Sequence, residues 1–345
     1  MPIAKPTANR RGPGHVEKLI IQIPCFNEED SLPTTLAALP RSLAGVDCVE
    51  WLIIDDGSDD RTVEVARAHG VDHVVALPRR QGLATAFMAG LDACLMAKAD
   101  IIVNTDADNQ YNADDIAALI APILEGKAEL VVGCRPIASI PHFSPAKKLL
   151  QRMGSWVVRV VSKTDVPDAP SGFRAISRNA AMRTNVFSRY TYTLETLIQA
   201  GQHNMAVTWV PVRVNPDMRP SRLVRSVAGY VIRSLLTIVR IFVLYKAFAF
   251  LLTISLMLVT PGVILGARFL YQFAIGQGAG HVQSLILASL LISLGVIIAV
   301  TGVLADLVSV NRRILEDIRS RTMRLEQRMS LEDDKPSDGS AADRR

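Results

Sequence analysis

Residues 247 to 305 of this 345-residue chain contain a single charge, Arg268, whereas the preceding two-thirds alternates short apolar runs with charged stretches. Ala247 to Ala267 and Val282 to Ala305 are both uncharged apolar runs, and each reaches the roughly 20 residues that cross a bilayer core. The pattern predicts a polar head followed by two transmembrane helices, at 247–267 and 282–305. A chain of this length also exceeds what one core usually holds, so two parts are expected.

Charge around the apolar runs predicts their orientation. Arg222, Arg225, Arg233, Arg240 and Lys246 precede the first run and Arg312, Arg313, Arg319 and Arg321 follow the second, while Arg268 is the only fixed charge between them. By the positive-inside bias, both termini and the head face the cytoplasm of a cell membrane. The first 17 residues are polar and rich in Pro, Gly and Arg, without the apolar centre of a signal peptide. The net charge of +5 concentrates beside the apolar runs, which suits anionic lipid and gives no reason to expect nucleic acid. Cys25, Cys48, Cys94 and Cys134 lack metal-ligand spacing and read as buried, reduced thiols.

Within the head, Leu19–Ile23, Val49–Ile54, Val74–Leu77, Ile101–Val103 and Leu130–Val132 read as buried parallel strands. Helix-length stretches at Ser31–Leu43, Asp60–His69, Leu83–Ala97 and Ala113–Leu124 alternate with them. The fold class expected is α/β, an open, doubly wound, mostly parallel sheet. Such sheets bind ligands beyond the carboxyl ends of their strands, and acidic and polar residues gather there.

The most informative of those ends is Asp106-Ala107-Asp108, after the run Ile101–Val103. Two carboxylates one residue apart on an extended segment can point to the same side and hold a hard divalent cation that also grips a diphosphate. An acidic triplet is also a common turn, so its weight comes from context. Asp55-Asp56-Gly57-Ser58 ends another strand; it suits a ribose, a base edge or a metal, and equally a turn and helix cap. Pro24-Cys25-Phe26-Asn27-Glu28 places an aromatic ring and a carboxylate at the end of the first strand, where a nucleoside could lie.

From Ser221 to Lys246, Arg222, Arg225, Arg233 and Arg240 fall within an arc of about 80° on a helical projection, with apolar residues around most of the rest. An amphipathic helix lying in the headgroup plane or one packed on the head would both show this. After Ala305, Leu307, Val310, Ile314, Ile318, Leu325 and Met329 recur at helical spacing, as in a helical extension, a self-association helix or a merely solvated one. The last stretch, from Asp333, is polar and reads as disordered. The parts expected are thus 1–17, a flexible N-terminus; 18–220, the sheet domain; 221–246, the amphipathic helix; 247–305, the membrane helices; and 306–345, the extension and tail.

Taken together, the chain resembles family 2 of the nucleotide-sugar glycosyltransferases, which share the GT-A fold, over roughly residues 18–225. The resemblance rests on Pro24-Cys25-Phe26-Asn27-Glu28, Asp55-Asp56-Gly57-Ser58, Gly82 with Ala86 and Gly90, Asp106-Ala107-Asp108 with Gln110, Gly133-Cys134-Arg135, Ser171-Gly172-Phe173-Arg174 and Arg219-Pro220-Ser221-Arg222-Leu223. With two C-terminal membrane helices it is similar to the dolichol-phosphate mannose synthase and polyprenyl-phosphate glycosyltransferase branch. The resemblance implies a nucleotide-sugar donor, a polyprenyl phosphate acceptor and Mg²⁺ or Mn²⁺. Pro24, Phe26, Glu28, Asp55, Asp56, Gly82, Gln110 and Arg135 would bind the nucleotide-sugar, and Asp106 and Asp108 the metal. Arg174, Arg219, Ser221, Arg222 and Arg225 would meet the acceptor phosphate, with Asp106, Asp108 and Arg174 catalytic. Transfer would invert the anomeric centre. Arg79-Arg80-Gln81-Gly82 departs from the family's usual Asn-Arg or Asn-Lys before the glycine. A UDP-sugar is favoured, with GDP-mannose next, and a homo-oligomer such as a tetramer is compatible with the helical tail.

Two other readings compete. A family 2 enzyme acting on a glycan or ceramide hydroxyl typically carries an Arg-Trp pair, but Trp51, Trp156 and Trp209 follow Glu50, Ser155 and Thr208. An inactive membrane-tethered scaffold would be expected to lose the metal carboxylates first, and Asp106 and Asp108 are present.

Overall fold

The computed structural model describes residues 16–136, 155–156, 158–186, 192–216, 247–276 and 282–333. The expected amphipathic helix 221–246, and with it Arg219, Ser221, Arg222 and Arg225, lies outside the described residues, as does the tail from 334. The chain divides into two compact units, a sheet-bearing head and a helical unit.

The head is built on strands β1 (Val16–Cys25), β2 (Val46–Asp55), β3 (His73–Ala76), β4 (Ile101–Asn104), β5 (Leu130–Cys134), β6 (Arg174–Ser177) and β7 (Val207–Pro211). They form one sheet in the order β3-β2-β1-β4-β6-β5-β7. All neighbours are parallel except that β6 runs antiparallel to both β4 and β5. The five strands expected from apolar runs are all present. β1 and β4 are apolar without alternation because helices cover both faces of the sheet centre. Helices α1 (Leu32–Ala38), α2 (Thr62–Ala68), α3 (Leu83–Met96), α4 (Ile116–Leu124), α5 (Arg178–Arg183) and α6 (Thr193–Gln202) provide that cover. Leu19, Ile21, Ile23, Ile101, Val103 and Val131 share one core cluster with Leu32, Leu36, Ile116, Leu119 and Ile120.

Antiparallel β6 positions the site. Its first residue, Arg174, pairs with Asn104 at the carboxyl end of β4 and with Val132 in β5. The turn that precedes it, Ser171-Gly172-Phe173, therefore reaches the same sheet edge as the ends of β1, β2, β4 and β5. Three cysteines are buried as expected, but Cys48 is exposed, because it stands at the start of β2, before the buried stretch that begins at Trp51.

The helical unit contains α7 (Ala247–Ala274) and, as far as Arg319, α8 (Val282–Asp333). Both are longer than the apolar runs suggest: α7 continues through Arg268, and α8 carries on as the helical extension. Phe248–Ala274 and Val282–Asn311 are long and apolar enough to cross a membrane, with mean hydropathy 2.3 and 2.6 and only 11% and 17% of the most apolar window buried. A soluble core helix would hide such a surface. Small residues bring the two helices together. Ser255 Oγ donates to the Gly295 carbonyl at 2.7 Å, and a Cβ on Gly295 would lie 2.5 Å from Val259 Cγ2.

Candidate active site

The loops after β1 and β2 are joined side by side. Asn27 N donates to Ser58 Oγ at 2.9 Å, Asp59 N to Asn27 Oδ1 at 3.0 Å, and Glu28 N to Thr62 Oγ1 at 2.9 Å. Asn27 adopts φ 54°, a left-handed conformation that asparagine tolerates better than most residues. The buried Glu28 accepts from Ser31 Oγ. Pro24 is buried at the end of β1, and Phe26 is half-buried beyond it.

Asp55 and Asp56 are both buried and both occupied by backbone amides. Asp55 accepts from Ser58 N at 3.2 Å, which closes the turn. Asp56 accepts from Gln81 N at 2.7 Å and Gly82 N at 2.9 Å, drawing the Arg79–Gly82 segment onto the site. Gly57 makes this possible: at φ +73° it turns without strain, and a Cβ there would stand 2.6 Å from the Arg79 carbonyl carbon. The Arg80 guanidinium lies 4.1 Å above the Phe26 ring. The turn at Asp55–Ser58 is thus real, whereas the helix cap expected there is not, since α2 starts at Thr62 with Arg61 before it and no side-chain cap bond; the departure at Arg79-Arg80 sits against Phe26.

The Asp106–Gln110 loop is pinned by its backbone. Thr35 Oγ1 donates to the Ala107 carbonyl at 2.8 Å, Asn215 Nδ2 to the Asn109 carbonyl at 2.9 Å, and Asn215 N to the Gln110 carbonyl at 2.9 Å. Asn109 turns the loop at φ 54°, and Gln110 N donates to Asp108 Oδ1 at 3.2 Å. Among the described residues, no hydrogen bond reaches the half-buried Asp106 carboxylate. Burial, then the neighbouring Asp108 charge, pushes its pKa up to about 7 against the pull of Arg135. A desolvated carboxylate next to another, without donors, is stabilised by a cation.

The residues present fit a hard divalent ion. Carboxylate oxygens are the ligands such ions take. Among the described residues, no three or more His, Cys, Asp or Glu side chains converge, so Asp106 and Asp108 would leave the remaining positions to diphosphate and water.

Arg135 holds Asp168 in a bidentate pair, Nε to Oδ2 at 2.7 Å and Nη2 to Oδ1 at 3.1 Å, and lies 5.9 Å from the Tyr111 ring. Burial works against its charge, yet Tyr111, Asp168 and Asp106 together keep the guanidinium firmly protonated. Asp168 is fully buried, so Arg135 is a positioned cation beside Asp106.

Arg174 requires a correction. Expected to be catalytic and to meet the acceptor phosphate, it has no exposed surface. Its Nε and Nη2 donate to the Ser171 and Ala169 carbonyls at 2.8 Å each, and Nη1 donates to Thr196 Oγ1. Its guanidinium ties the turn before β6 to α6 and cannot touch a ligand in this arrangement.

Sequence reading missed Asn104, Gln22 and Tyr192, which lie behind Asp106. Gln22 Nε2 donates to Asn104 Oδ1 at 2.9 Å, and Asn104 Nδ2 donates to the Gly172 carbonyl at 2.8 Å and to Tyr192 Oη at 2.9 Å. A polar residue inside an apolar strand was the available signal for Gln22 and Asn104.

A mostly parallel seven-stranded sheet with one reversed strand is typical of the GT-A fold. The model of glycosyl transferase family 2 matches residues 20–189. An uncharacterised glycosyltransferase of Mycobacterium tuberculosis is 33% identical over 203 residues, 58% of this chain and 86% of the relative. A UDP-N-acetylglucosamine–dolichyl-phosphate N-acetylglucosaminyltransferase of Methanococcus voltae is 30% identical over 57% of this chain and 86% of its own length. An undecaprenyl-phosphate mannosyltransferase of Micrococcus luteus is 28% identical over 46% of this chain and 65% of the relative. The chain belongs to glycosyltransferase family 2.

Proposed function

We propose that this glycosyltransferase moves a hexose from a nucleotide-sugar onto the phosphate of a polyprenyl phosphate at a membrane surface. The observation that carries the reading is the Asp106–Asp108 pair at the sheet edge, half-buried, with Asp106 lacking any donor among the described residues. The Methanococcus and Micrococcus relatives, named for lipid phosphate acceptors, and the two long apolar helices favour that acceptor over a glycan or ceramide hydroxyl.

In this reading the nucleoside lies against Phe26, Glu28 and the Asp55–Asp56 turn, with the Arg79–Gly82 segment held over it by Asp56. Asp106 and Asp108 would hold Mg²⁺ or Mn²⁺, which when bound would supply positive charge towards the departing diphosphate, and Arg135 adds fixed positive charge nearby. A lipid phosphate needs no general base, since its second pKa of about 6 leaves it ionised at neutral pH. The enzyme's task is to bring two anions together. Arg219, Ser221, Arg222 and Arg225, outside the described residues, are proposed to receive the acceptor phosphate on their charge and hydrogen-bonding chemistry. In-line attack inverts the anomeric centre.

We further place α7 and α8 across the membrane with both termini cytoplasmic, on the charge pattern flanking them. The preferred donor is a UDP-sugar, with GDP-mannose second. The test is a donor screen: purified protein, Mn²⁺ or Mg²⁺, undecaprenyl phosphate and a panel of UDP- and GDP-sugars, followed by mass spectrometry of the lipids. A glycosyl-phosphate lipid is expected with at least one donor. Hydrolysis of every donor without lipid product would remove the proposal.

A further inference from the structure

Gln22, Asn104, Gly172 and Tyr192 have no part in the reaction described above, yet they form a buried hydrogen-bonded group behind it. Gln22 and Asn104 are fully buried in strands β1 and β4, and Tyr192, just before α6, is 1% exposed. The Asn104 amide has one orientation available: its oxygen accepts from Gln22, and its nitrogen spends both hydrogens on the Gly172 carbonyl and Tyr192 Oη. The Tyr192 ring stacks on Phe87, with centroids 4.0 Å apart and planes 11° from parallel, while Asn104 holds its hydroxyl.

Tyr192 Oη thus accepts from Asn104, and among the described residues its own proton has only the Gly172 carbonyl, at 3.5 Å, the outer limit of a hydrogen bond. Gly172 separates this hydroxyl from the metal-binding loop. The point a Cβ would occupy on Gly172 is 2.9 Å from Tyr192 Oη and 3.1 and 3.2 Å from Asp106 Oδ1 and Oδ2. Any side chain would displace the hydroxyl, the carboxylate or both. On the other side of the turn, Gly172 N donates to Tyr111 Oη at 3.1 Å, so the glycine is held from both directions. A loosely held donor and a carboxylate without donors therefore converge on one cleared position.

We propose that Tyr192, oriented by Asn104 and given room by Gly172, is the positioning residue that sets the Asp106 carboxylate for its divalent cation. The inference rests on the metal reading given above. Ligating carboxylates are themselves held by hydrogen bonds from outer partners, whose removal typically costs 10–100-fold in metal affinity. No such bond reaches Asp106 among the described residues in this arrangement; on cation binding the Tyr192 hydroxyl turns its proton from the Gly172 carbonyl to Asp106, so that the acidic tripeptide is set from outside its own loop.

The test uses the full-length protein in detergent without nucleotide, titrated with Mn²⁺ and followed by electron paramagnetic resonance. Melting temperature, and kcat against the KM for Mn²⁺, are measured in parallel. Tyr192→Phe keeps the stacked ring and removes only the hydroxyl. It is expected to weaken Mn²⁺ binding about 10-fold or more, with a raised KM for Mn²⁺ and a melting temperature close to wild type. Phe87→Leu removes the stacking partner and keeps the hydroxyl; it should lower the melting temperature and leave Mn²⁺ affinity within about twofold, on the scale of outer-partner effects. Unchanged Mn²⁺ affinity in Tyr192→Phe would overturn the assignment, as would an equal loss in Phe87→Leu, which would make the effect one of packing. Failure of the wild-type protein to bind Mn²⁺, even with UDP or GDP present, would instead overturn the metal reading and this inference with it.

Discussion

Asp106 concentrates the physical chemistry of the site in one carboxyl group. Its pKa, pushed up to about 7 by burial and by Asp108, lies above the value near 4 of an unfolded aspartate. Between those two values the folded, metal-free protein binds a proton that the unfolded chain has lost. Its stability should therefore fall as pH rises from about 4 to about 7 and level off above that. Asp106→Asn should flatten this dependence and raise the metal-free melting temperature at pH 8, checked by thermal melts in a chelator. A variant that melts below wild type at pH 8 would contradict it. Arg174 gives the opposite lesson. Replacing it with Met should leave the Ser171 and Ala169 carbonyls without their donors, costing about 2 kcal/mol or more. The melting temperature should drop by several degrees, while the folded fraction keeps its KM for lipid acceptor. A raised acceptor KM without loss of stability would restore the role first expected of it.

At the scale of elements, what was legible followed from burial on two faces. β1, β2, β4 and β5 each end an apolar run at a polar or glycine-bearing turn, so both the strands and the site edge could be read from residue order. β6 could not: it is four residues long and begins with Arg174, a charged residue whose burial depends on the preceding turn folding back to offer the Ser171 and Ala169 carbonyls and on Thr196 of α6. β7 contains Trp209 and ends at Pro211, a composition suited to an edge strand and poor in periodic signal. The carboxylates of the site were likewise legible, because Asp106 and Asp108 follow a buried strand directly. Tyr192 was not, since its hydrogen bonds, to Asn104 and to the Gly172 carbonyl, join parts of the chain far apart in sequence. Helices α7 and α8 were legible as apolar runs, but their close approach was not, since it depends on Ser255, Gly262 and Gly295 meeting across the pair. Gly295→Leu should separate them and lower the melting temperature in detergent by several degrees. Gly266→Ala should change little, as its new Cβ would meet only Ala288 Cβ at 3.9 Å. An unchanged melting temperature in Gly295→Leu would show that the helices do not depend on that contact.

For the molecule as a whole, the proposed function assigns the nucleotide and metal chemistry to the sheet-bearing head, and the helical unit carries an apolar surface that water would not tolerate. Their presence in one chain fits a reaction that joins a soluble donor to a lipid. The measurement that addresses this most directly is acceptor competition, run with whichever donor the screen identifies: labelled sugar transfer to undecaprenyl phosphate, undecaprenol and ceramide, each with Mn²⁺ and with a chelator. The account predicts Mn²⁺-dependent product with undecaprenyl phosphate alone. Transfer to undecaprenol or ceramide at a comparable rate would contradict it, because a site that relies on the acceptor's own charge has no base to activate a hydroxyl.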